Sequence, residues 1–378
     1  VLDFVGHSRA EFSYKERFEA LIGRRSRNIK DEIEGGFSNA PIGCKIILEE
    51  KAKEEIIANI DGYLRSLNRS RVVKEILAYH KTCKGNFSLK GFLAYSHVPF
   101  HKVYGALTWG ELCQLAGVQE SVSVHAGQIK YAVTKKWLAT DSFSYFTQLL
   151  RFADCGFKCN TEEFSEQEKR CAVMLYYDLY DKAGNYDGIG TMFDDLASDK
   201  LFVQEFKEVV SYLRDRCSAP EKVDNSVYNE WNPLHLHGVY TKAQIQAALG
   251  LSTIDRKSPS REGMERLKDI KLEAMYVDII KKREEGSMTA YKDYAQNREF
   301  FHWETQNRVR EGSREAEAYR NGENNMLLFV RQQVEHPDYG QVTMESIEGS
   351  KPMQIVWHLA TPMSESTYAF ASQYKAIG

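Results

Sequence analysis

The sequence lacks the features that mark membrane-spanning and secreted proteins. None of its apolar runs approaches the roughly 20 residues that a bilayer-spanning helix needs, and its amino terminus has no positively charged start followed by an apolar segment. Its seven cysteines are an odd number without the dense spacing of a small disulfide-bonded domain. We therefore expect a cytoplasmic protein whose thiols are reduced.

Motifs for nucleotide hydrolysis are also missing. No G-x-x-x-x-G-K-[ST] sequence is present to hold a triphosphate on backbone amides, and no DEAD or DEAH carboxylate pair is present to hold magnesium. This polypeptide alone is not expected to hydrolyse ATP.

Metal-ligand patterns are sparse. Cys155 and Cys159 form the only close cysteine pair, and no second pair stands at zinc-site spacing. His235 and His237 would share one face of a predicted strand, but no cysteine or carboxylate accompanies them there. Buried thiols and structural histidines are the better interpretation, and no metal site is predicted.

Charge neither requires nor excludes a nucleic-acid partner. The formal net charge of the 378 residues is -3, whereas nucleic-acid-binding domains often carry a strongly basic field. Acidic clusters near residues 162–168 and 194–199 can offset basic stretches elsewhere in the chain, so a local positive surface remains compatible with this total.

The chain is long enough for two or three domains. Residues 1–65 have a strand, loop and helix pattern, residues 66–220 have helical periodicity, and residues 221–378 combine short helices with strand-like runs. A polar stretch from Ser218 to Asn232 is the best linker. These patterns predict an α+β protein that is mostly helical in its N-terminal and middle parts, with a mixed sheet or barrel-like domain at its C-terminal end.

Local signals place several elements. Apolar spacing predicts helices over residues 132–151, 166–180 and 201–213. Thr241, followed three residues later by Gln244, predicts a capping box at the start of a helix that ends near Gly250.

Residues 300–307 carry the most informative pattern, because the eight-residue run Phe-Phe-His-Trp-Glu-Thr-Gln-Asn combines aromatic rings, a histidine, a carboxylate and two amides. In a strand, alternate positions would place Phe301 and Trp303 on one face and His302 and Glu304 on the other. The first face is predicted to be buried. The second is a candidate for chemistry or binding, or is a solvated face.

Three motifs follow one another in the C-terminal part. They are Phe-His-Trp-x-x-Gln-Asn at residues 301–307, Leu-Phe-Val-Arg at 328–331 and Pro-Met-x-Ile-x-Trp at 352–357. This ordered set resembles an uncharacterised C-terminal domain family that is appended to superfamily II DEAD/DEAH-type helicases of bacteria. Residues 1–60 independently look like the segment that follows the second RecA-like domain of such helicases.

The resemblance implies that the chain is the C-terminal region of a longer, ATP-dependent helicase. Its expected partners are nucleic acid, with DNA favoured, and the helicase core domains of the same full-length chain, with no membrane partner. No cofactor is expected in these residues, whereas the absent core domains would use ATP and magnesium. Relatives of this kind look like components of phage defence or DNA repair, often with a phospholipase D-like nuclease domain at the other end.

A nucleic-acid reader fits the C-terminal motifs best. Aromatic rings can stack on exposed bases, amides can contact base edges, and arginines can contact phosphate or guanine. The candidate binding residues are His302, Trp303, Gln306, Asn307, Arg308, Arg310 and Arg331.

Two alternatives remain open. Asp278, Lys281 and Glu304 could form a metal-dependent nuclease site, because carboxylates can hold magnesium while a lysine helps to position water at a phosphodiester. The C-terminal part could instead be a protein-interaction scaffold. Magnesium-dependent cleavage would distinguish the nuclease, and salt-sensitive binding of nucleic acid would distinguish the reader.

Overall fold

A computed structural model describes residues 67–372 of the chain, apart from 84, 97, 220, 223–229, 260–262, 280–292, 306–308, 332–336 and 350–352, and also describes residues 53, 54, 56, 57 and 62. Residues 337–349 and 366 are described by their backbone only. The chain divides into two compact units. The first is Val1–Lys130 with Asp199–Tyr212, and the second is Tyr131–Ser198 with Leu213–Gly378. The second unit thus joins residues 131–198 to the C-terminal part, whereas the sequence suggested a boundary near residue 220.

The first unit is helical in its described residues. Asn68 caps the first helix by accepting from the Arg71 N–H, and Thr108 caps the fourth in a capping box with Glu111. The helices are α1 (Arg69–Thr82), α2 (Leu89–Ser96), α3 (Phe100–Tyr104) and α4 (Trp109–Leu115), followed by α5 (Ala126–Ala132), within which the chain passes into the second unit.

A buried carboxylate accepts hydrogen bonds from two other segments of this unit. Glu205 accepts hydrogen bonds from the Tyr104 hydroxyl at 2.8 Å and from the N–H groups of Trp109 and Gly110 at 2.9 and 3.1 Å, at the start of α4. Burial raises the pKa of the Glu205 carboxyl to about 7, against the opposing effect of these donors.

The next helices along the chain form most of the helical half of the second unit. Ser165 and Glu168 make a capping box at the start of one of them, and Ser142 caps another. A π-helical turn (Val133–Trp137) is followed by α6 (Phe143–Asp154), α7 (Glu166–Leu179), α8 (Ile189–Ser198), α9 (Lys200–Asp215), which runs mostly through the first unit, and α10 (Lys242–Ala248).

The rest of the second unit is built around a seven-stranded sheet in the order β1-β2-β5-β6-β7-β4-β3. The β2–β5 pair is parallel, and the other neighbouring pairs are antiparallel. The strands are β1 (Met264–Leu267), β2 (Leu272–Asp278), β3 (Tyr294–Ala295), β4 (Phe300–Glu304), β5 (Asn325–Arg331), β6 (Pro337–Gly349) and β7 (Met353–Leu359).

One hydrophobic core lies along this sheet. It includes Met275 of β2, Phe301 of β4 and Trp357 of β7. Two helices contribute to it, since Tyr319 of α11 (Arg314–Arg320) and Ala371 of α12 (Glu365–Ala371) belong to the same buried cluster.

The α+β class is confirmed. The barrel-like alternative is not, because β1 and β3 are the two edges of an open sheet and no barrel closes within the described strands. The capping box at Thr241 and Gln244 is present as predicted, and the helix ends before Gly250, whose φ is +75°. None of the helices in the part of the chain that the structure describes is long and apolar enough to cross a membrane.

The helix predicted over residues 132–151 is interrupted. Thr140 and Asp141 stand between the π-helical turn and α6, and Asp141 forms an isolated β-bridge with Val239. The Asp141 carboxylate also accepts from the Ser218 N–H at 2.9 Å. These long-range hydrogen bonds are invisible to apolar periodicity, so the interruption could not be predicted from spacing.

The strand predicted around His235 and His237 does not form. Leu236 makes only an isolated bridge with Lys222, and His237 has a φ of +65°, outside the extended region. The two imidazoles therefore do not share a strand face.

Candidate nucleic-acid interface

The two faces of β4 pack against different partners, but both are largely buried, since four of its five residues are buried. Phe301 and Trp303 belong to the hydrophobic core, with exposures of 0% and 8%. The Trp303 indole lies 6.1 Å from the Trp357 ring and 6.1 Å from the Tyr319 ring, measured between centroids. Trp303 is therefore a core residue in contact with two other rings, and little of its surface is left for a nucleic-acid base.

The opposite side of β4 carries two cross-strand stacks. The His302 and Tyr294 rings are nearly parallel, with centroids 4.7 Å apart and an angle of 14° between their planes. Phe300 and His358 stack in the same way at 4.8 Å and 16°. Each pair consists of residues directly opposite each other in the sheet, where side chains are closest. We call these four side chains the aromatic face.

Solvent reaches three of the four side chains of the aromatic face. Tyr294, Phe300 and His358 are partly exposed, while His302 is 8% exposed. On β7 the residues alternate between buried positions and the more exposed positions Gln354, Val356 and His358. Partly exposed rings on a sheet can receive planar ligands, because every aromatic ring and every nucleobase presents a π-face.

Arginines lie near both ends of β4. Arg298, just before the strand, donates its Nε–H to the Met363 carbonyl at 2.8 Å and lies 3.8 Å from the Glu365 carboxylate. Beyond the other end, Arg310 and Arg314 are exposed, and neither forms an ion pair with another residue that the structure describes. They flank Val309 and Ala316, which pack against Met353 at the start of β7.

Several predicted binding residues are not placed on this face. Gln306, Asn307 and Arg308 lie outside the described residues. Arg331 makes a bidentate ion pair with Asp278, its parallel-strand neighbour. Of the predicted set, the structure therefore puts His302 on the aromatic face and leaves Arg310 exposed beyond one end of β4.

The nuclease residues are not brought together. Asp278 lies beside Arg331, and Arg331 pairs with Pro337 at the start of β6. Glu304 pairs with Gln354, and Gln354 pairs with Glu348 near the end of β6. At about 3.3 Å per residue, this separation along β6 is on the order of 35 Å. A single magnesium site, with ligands at about 2 Å, cannot include both carboxylates.

The surroundings of Glu304 differ from those of Asp278. It is 9% exposed, and its N–H donates to the Asp293 carboxylate at 2.9 Å. No group of three potential metal ligands occurs in the described parts of the chain. Lys281, the third residue of the nuclease alternative, lies outside them.

A buried carboxylate in the helical half was not predicted from the sequence. Asp178 of α7 is fully buried and accepts from Trp137 Nε1 and the Tyr145 hydroxyl, each at 2.7 Å, and from Gln244 Nε2. Burial raises the pKa of the Asp178 carboxyl to about 6, although these donors oppose the rise. Its position inside the apolar run Met-Leu-Tyr-Tyr-Asp-Leu-Tyr is the signal that could have identified it.

The cysteine pair corrects the expectation of reduced thiols. Cys155 and Cys159 form a disulfide just after α6. Cys83, Cys113, Cys171 and Cys217 are free. The pair is therefore bonded to itself and does not act as two metal ligands in this structure.

Comparison with known proteins identifies only part of the chain. No curated protein and no solved structure matches it. A family model described as a domain of unknown function, DUF3427, matches residues 234–371, which include α10, all seven strands and the aromatic face. The C-terminal part of this chain is thus a DUF3427 domain, a domain of unknown function.

Proposed function

We propose that this chain is the accessory C-terminal part of a superfamily II helicase and that its DUF3427 domain binds single-stranded nucleic acid on the aromatic face. The carrying observation is the pair of stacks Tyr294–His302 and Phe300–His358 on the partly exposed side of an open sheet. The motif resemblance supports the helicase assignment, and the family match at residues 234–371 is consistent with it.

Sheet-based readers of single strands stack two or three bases on aromatic rings. The three partly exposed rings, Tyr294, Phe300 and His358, offer a platform of that size. Arg298, Arg310 and Arg314 offer cations near its two ends for phosphates. DNA is the proposed ligand, and the cytoplasm is the proposed location. ATP and magnesium would act in helicase core domains of the full-length protein and not in residues 1–378.

The nuclease alternative receives less support. Asp278 is paired with Arg331, and Glu304 is far from both. The protein-interaction scaffold becomes the favoured alternative if the folded chain binds no nucleic acid.

Fluorescence anisotropy tests the proposal. We expect labelled single-stranded DNA to bind with an affinity that falls as salt rises, with a logarithmic slope of about -1.5 to -2, as two or three phosphate contacts imply. Since loss of a stacking ring costs about 1–3 kcal/mol per base, Tyr294→Ala and His358→Ala should each weaken binding about tenfold. Tyr95→Ala, which removes a 44%-exposed ring from the first unit, is the matched control. Equal effects of all three variants would contradict the proposed site.

A further inference from the structure

The helical half of the second unit contains an open cavity that is separate from the aromatic face. Its volume is about 500 Å³, within the range of small-molecule sites. Its wall is formed by one face of α6, by the start of α7 and by the segment around Pro233 and His235. The cavity therefore depends on residues on both sides of the DUF3427 boundary.

The cavity presents a cation that lacks an ion-pair partner among the described residues. Arg151 is exposed on α6, and its guanidinium makes one long hydrogen bond, 3.4 Å to the Gln148 side-chain oxygen. The carboxylate among the lining residues, Glu168, is held by the N–H and hydroxyl of Ser165 at 2.9 and 2.8 Å in the capping box of α7. Arg151 is thus available to an anionic group in the cavity.

An exposed ring lines the other end of the same helix face. Phe143 is 54% exposed although it is a large apolar residue at the first position of α6. Phe143, Thr147 and Arg151 follow one another at four-residue intervals, which keeps them near one side of the helix. Eight residues at 1.5 Å each place the Cα atoms of Phe143 and Arg151 about 12 Å apart along the axis.

We propose that this cavity binds a nucleoside monophosphate unit, with its base against Phe143 and its phosphate on Arg151. The hydroxyl of Thr147 and the amide of Gln148 lie between them and can serve the sugar and the base edge. His235 also lines the cavity, and its imidazole adds a nitrogen that can donate or accept a hydrogen bond. The bound nucleotide can be a free nucleotide or the terminal nucleotide of a nucleic-acid strand. This inference does not rest on the aromatic face.

Calorimetric titration of the whole chain with adenosine monophosphate tests the site. We expect saturable binding that is at least tenfold weaker for Arg151→Gln and for Phe143→Ser. Adenosine alone and inorganic phosphate alone should each bind at least tenfold more weakly than the monophosphate, because each lacks one of the two contacts. Arg256→Gln and Leu138→Ala are matched controls that remove an exposed guanidinium and a 39%-exposed apolar side chain elsewhere, and they should not change the affinity.

Competition with a 5′-phosphorylated oligonucleotide distinguishes binding of a free nucleotide from binding of a nucleic-acid strand end. Displacement of adenosine monophosphate by this oligonucleotide, but not by the same oligonucleotide with a 5′-hydroxyl, supports binding of a strand end. Failure of the phosphorylated oligonucleotide to displace it supports binding of the free nucleotide. The proposal is overturned if the folded chain does not bind the monophosphate, if both cavity variants bind it as the original chain does, or if phosphate alone binds equally well. An unchanged melting temperature of each variant shows that it is folded.

Discussion

Gln244 donates its side-chain amide to both carboxylate oxygens of Asp178, at 2.9 and 3.0 Å. Gln244 lies in the first helix of the DUF3427 domain, whereas Asp178 lies in α7, upstream of the matched region. The Arg170 guanidinium of α7 donates in addition to the carbonyl of Ala248 at the end of α10. The family boundary at residue 234 therefore cuts through a continuous hydrogen-bonded packing unit.

Replacing Gln244 should destabilise the second unit. In Gln244→Ala, the buried Asp178 loses a donor, and the Thr241 N–H loses the Gln244 oxygen that it contacts at 2.7 Å. We expect the free energy of unfolding to fall by about 1–3 kcal/mol, the usual cost of leaving buried polar groups unsatisfied. Urea unfolding measures this fall. Gln114→Ala, at an exposed glutamine, is the control. A Gln244 variant as stable as that control would contradict the buried network.

Asp178 should make stability depend on pH in the acidic range. Because its pKa is raised to about 6 from 3.8, the folded state binds more protons than the unfolded state between these values. Its contribution is thus most favourable below about pH 4 and is lost as pH rises to about 6, by roughly 3 kcal/mol at most. Urea unfolding of the original chain and of Asp178→Asn across pH 4–7 isolates this contribution. A difference in stability between them that is independent of pH would refute it.

Trp303 should act on folding and not on binding. Trp303→Ala removes an indole packed among Trp357 and Tyr319, which should cost about 3–5 kcal/mol of stability. Trp303→Phe keeps an aromatic ring in the core and should retain the affinity for single-stranded DNA. Melting curves and anisotropy together separate the two effects. Loss of affinity in a fully folded Trp303→Phe variant would show that the indole contacts the ligand.

The disulfide should be detectable and only modestly stabilising. Cys155 and Cys159 are separated by 4 positions, and closure of so short a loop contributes about 2 kcal/mol in the chain-entropy description. We expect a maleimide reagent to modify these two residues only after reduction, as mapped by mass spectrometry. Modification of both residues in protein that has never been reduced would contradict the bond. Cys155→Ser should lower the free energy of unfolding to the same extent as reduction.

Local signals were predictable from the sequence, and long-range pairing was not. The alternation of β4 follows from the two-residue period of a strand, and the capping box at Thr241 and Gln244 involves residues three apart. By contrast, the separation of Asp278 from Glu304 depends on strand order and on the length of β6, which local patterns do not encode. For the same reason the pairing of Asp278 with Arg331 was not foreseen.

The aromatic face could be predicted from the sequence only in part. The position of His302 on the polar face of β4 was predicted, but its partner Tyr294 and the second stack depend on how β3 and β7 pair with β4. The aromatic content of β4 made Trp303 look like a stacking residue, whereas period two places it in the core beside Phe301. Burial of a ring on a strand depends on what covers it, and Trp303 is in contact with Tyr319 of α11.

Photo-crosslinking tests the central claim most directly. Single-stranded DNA carrying 5-iodouracil would be irradiated with the folded chain, and the crosslinked residues would be mapped by mass spectrometry. Since the reagent reacts with rings against which the base stacks, we predict crosslinks at Tyr294, Phe300 or His358, lost when unlabelled DNA competes. Crosslinks confined to residues away from β3, β4 and β7, or none despite measurable binding, would contradict the proposal that the aromatic face receives the bases.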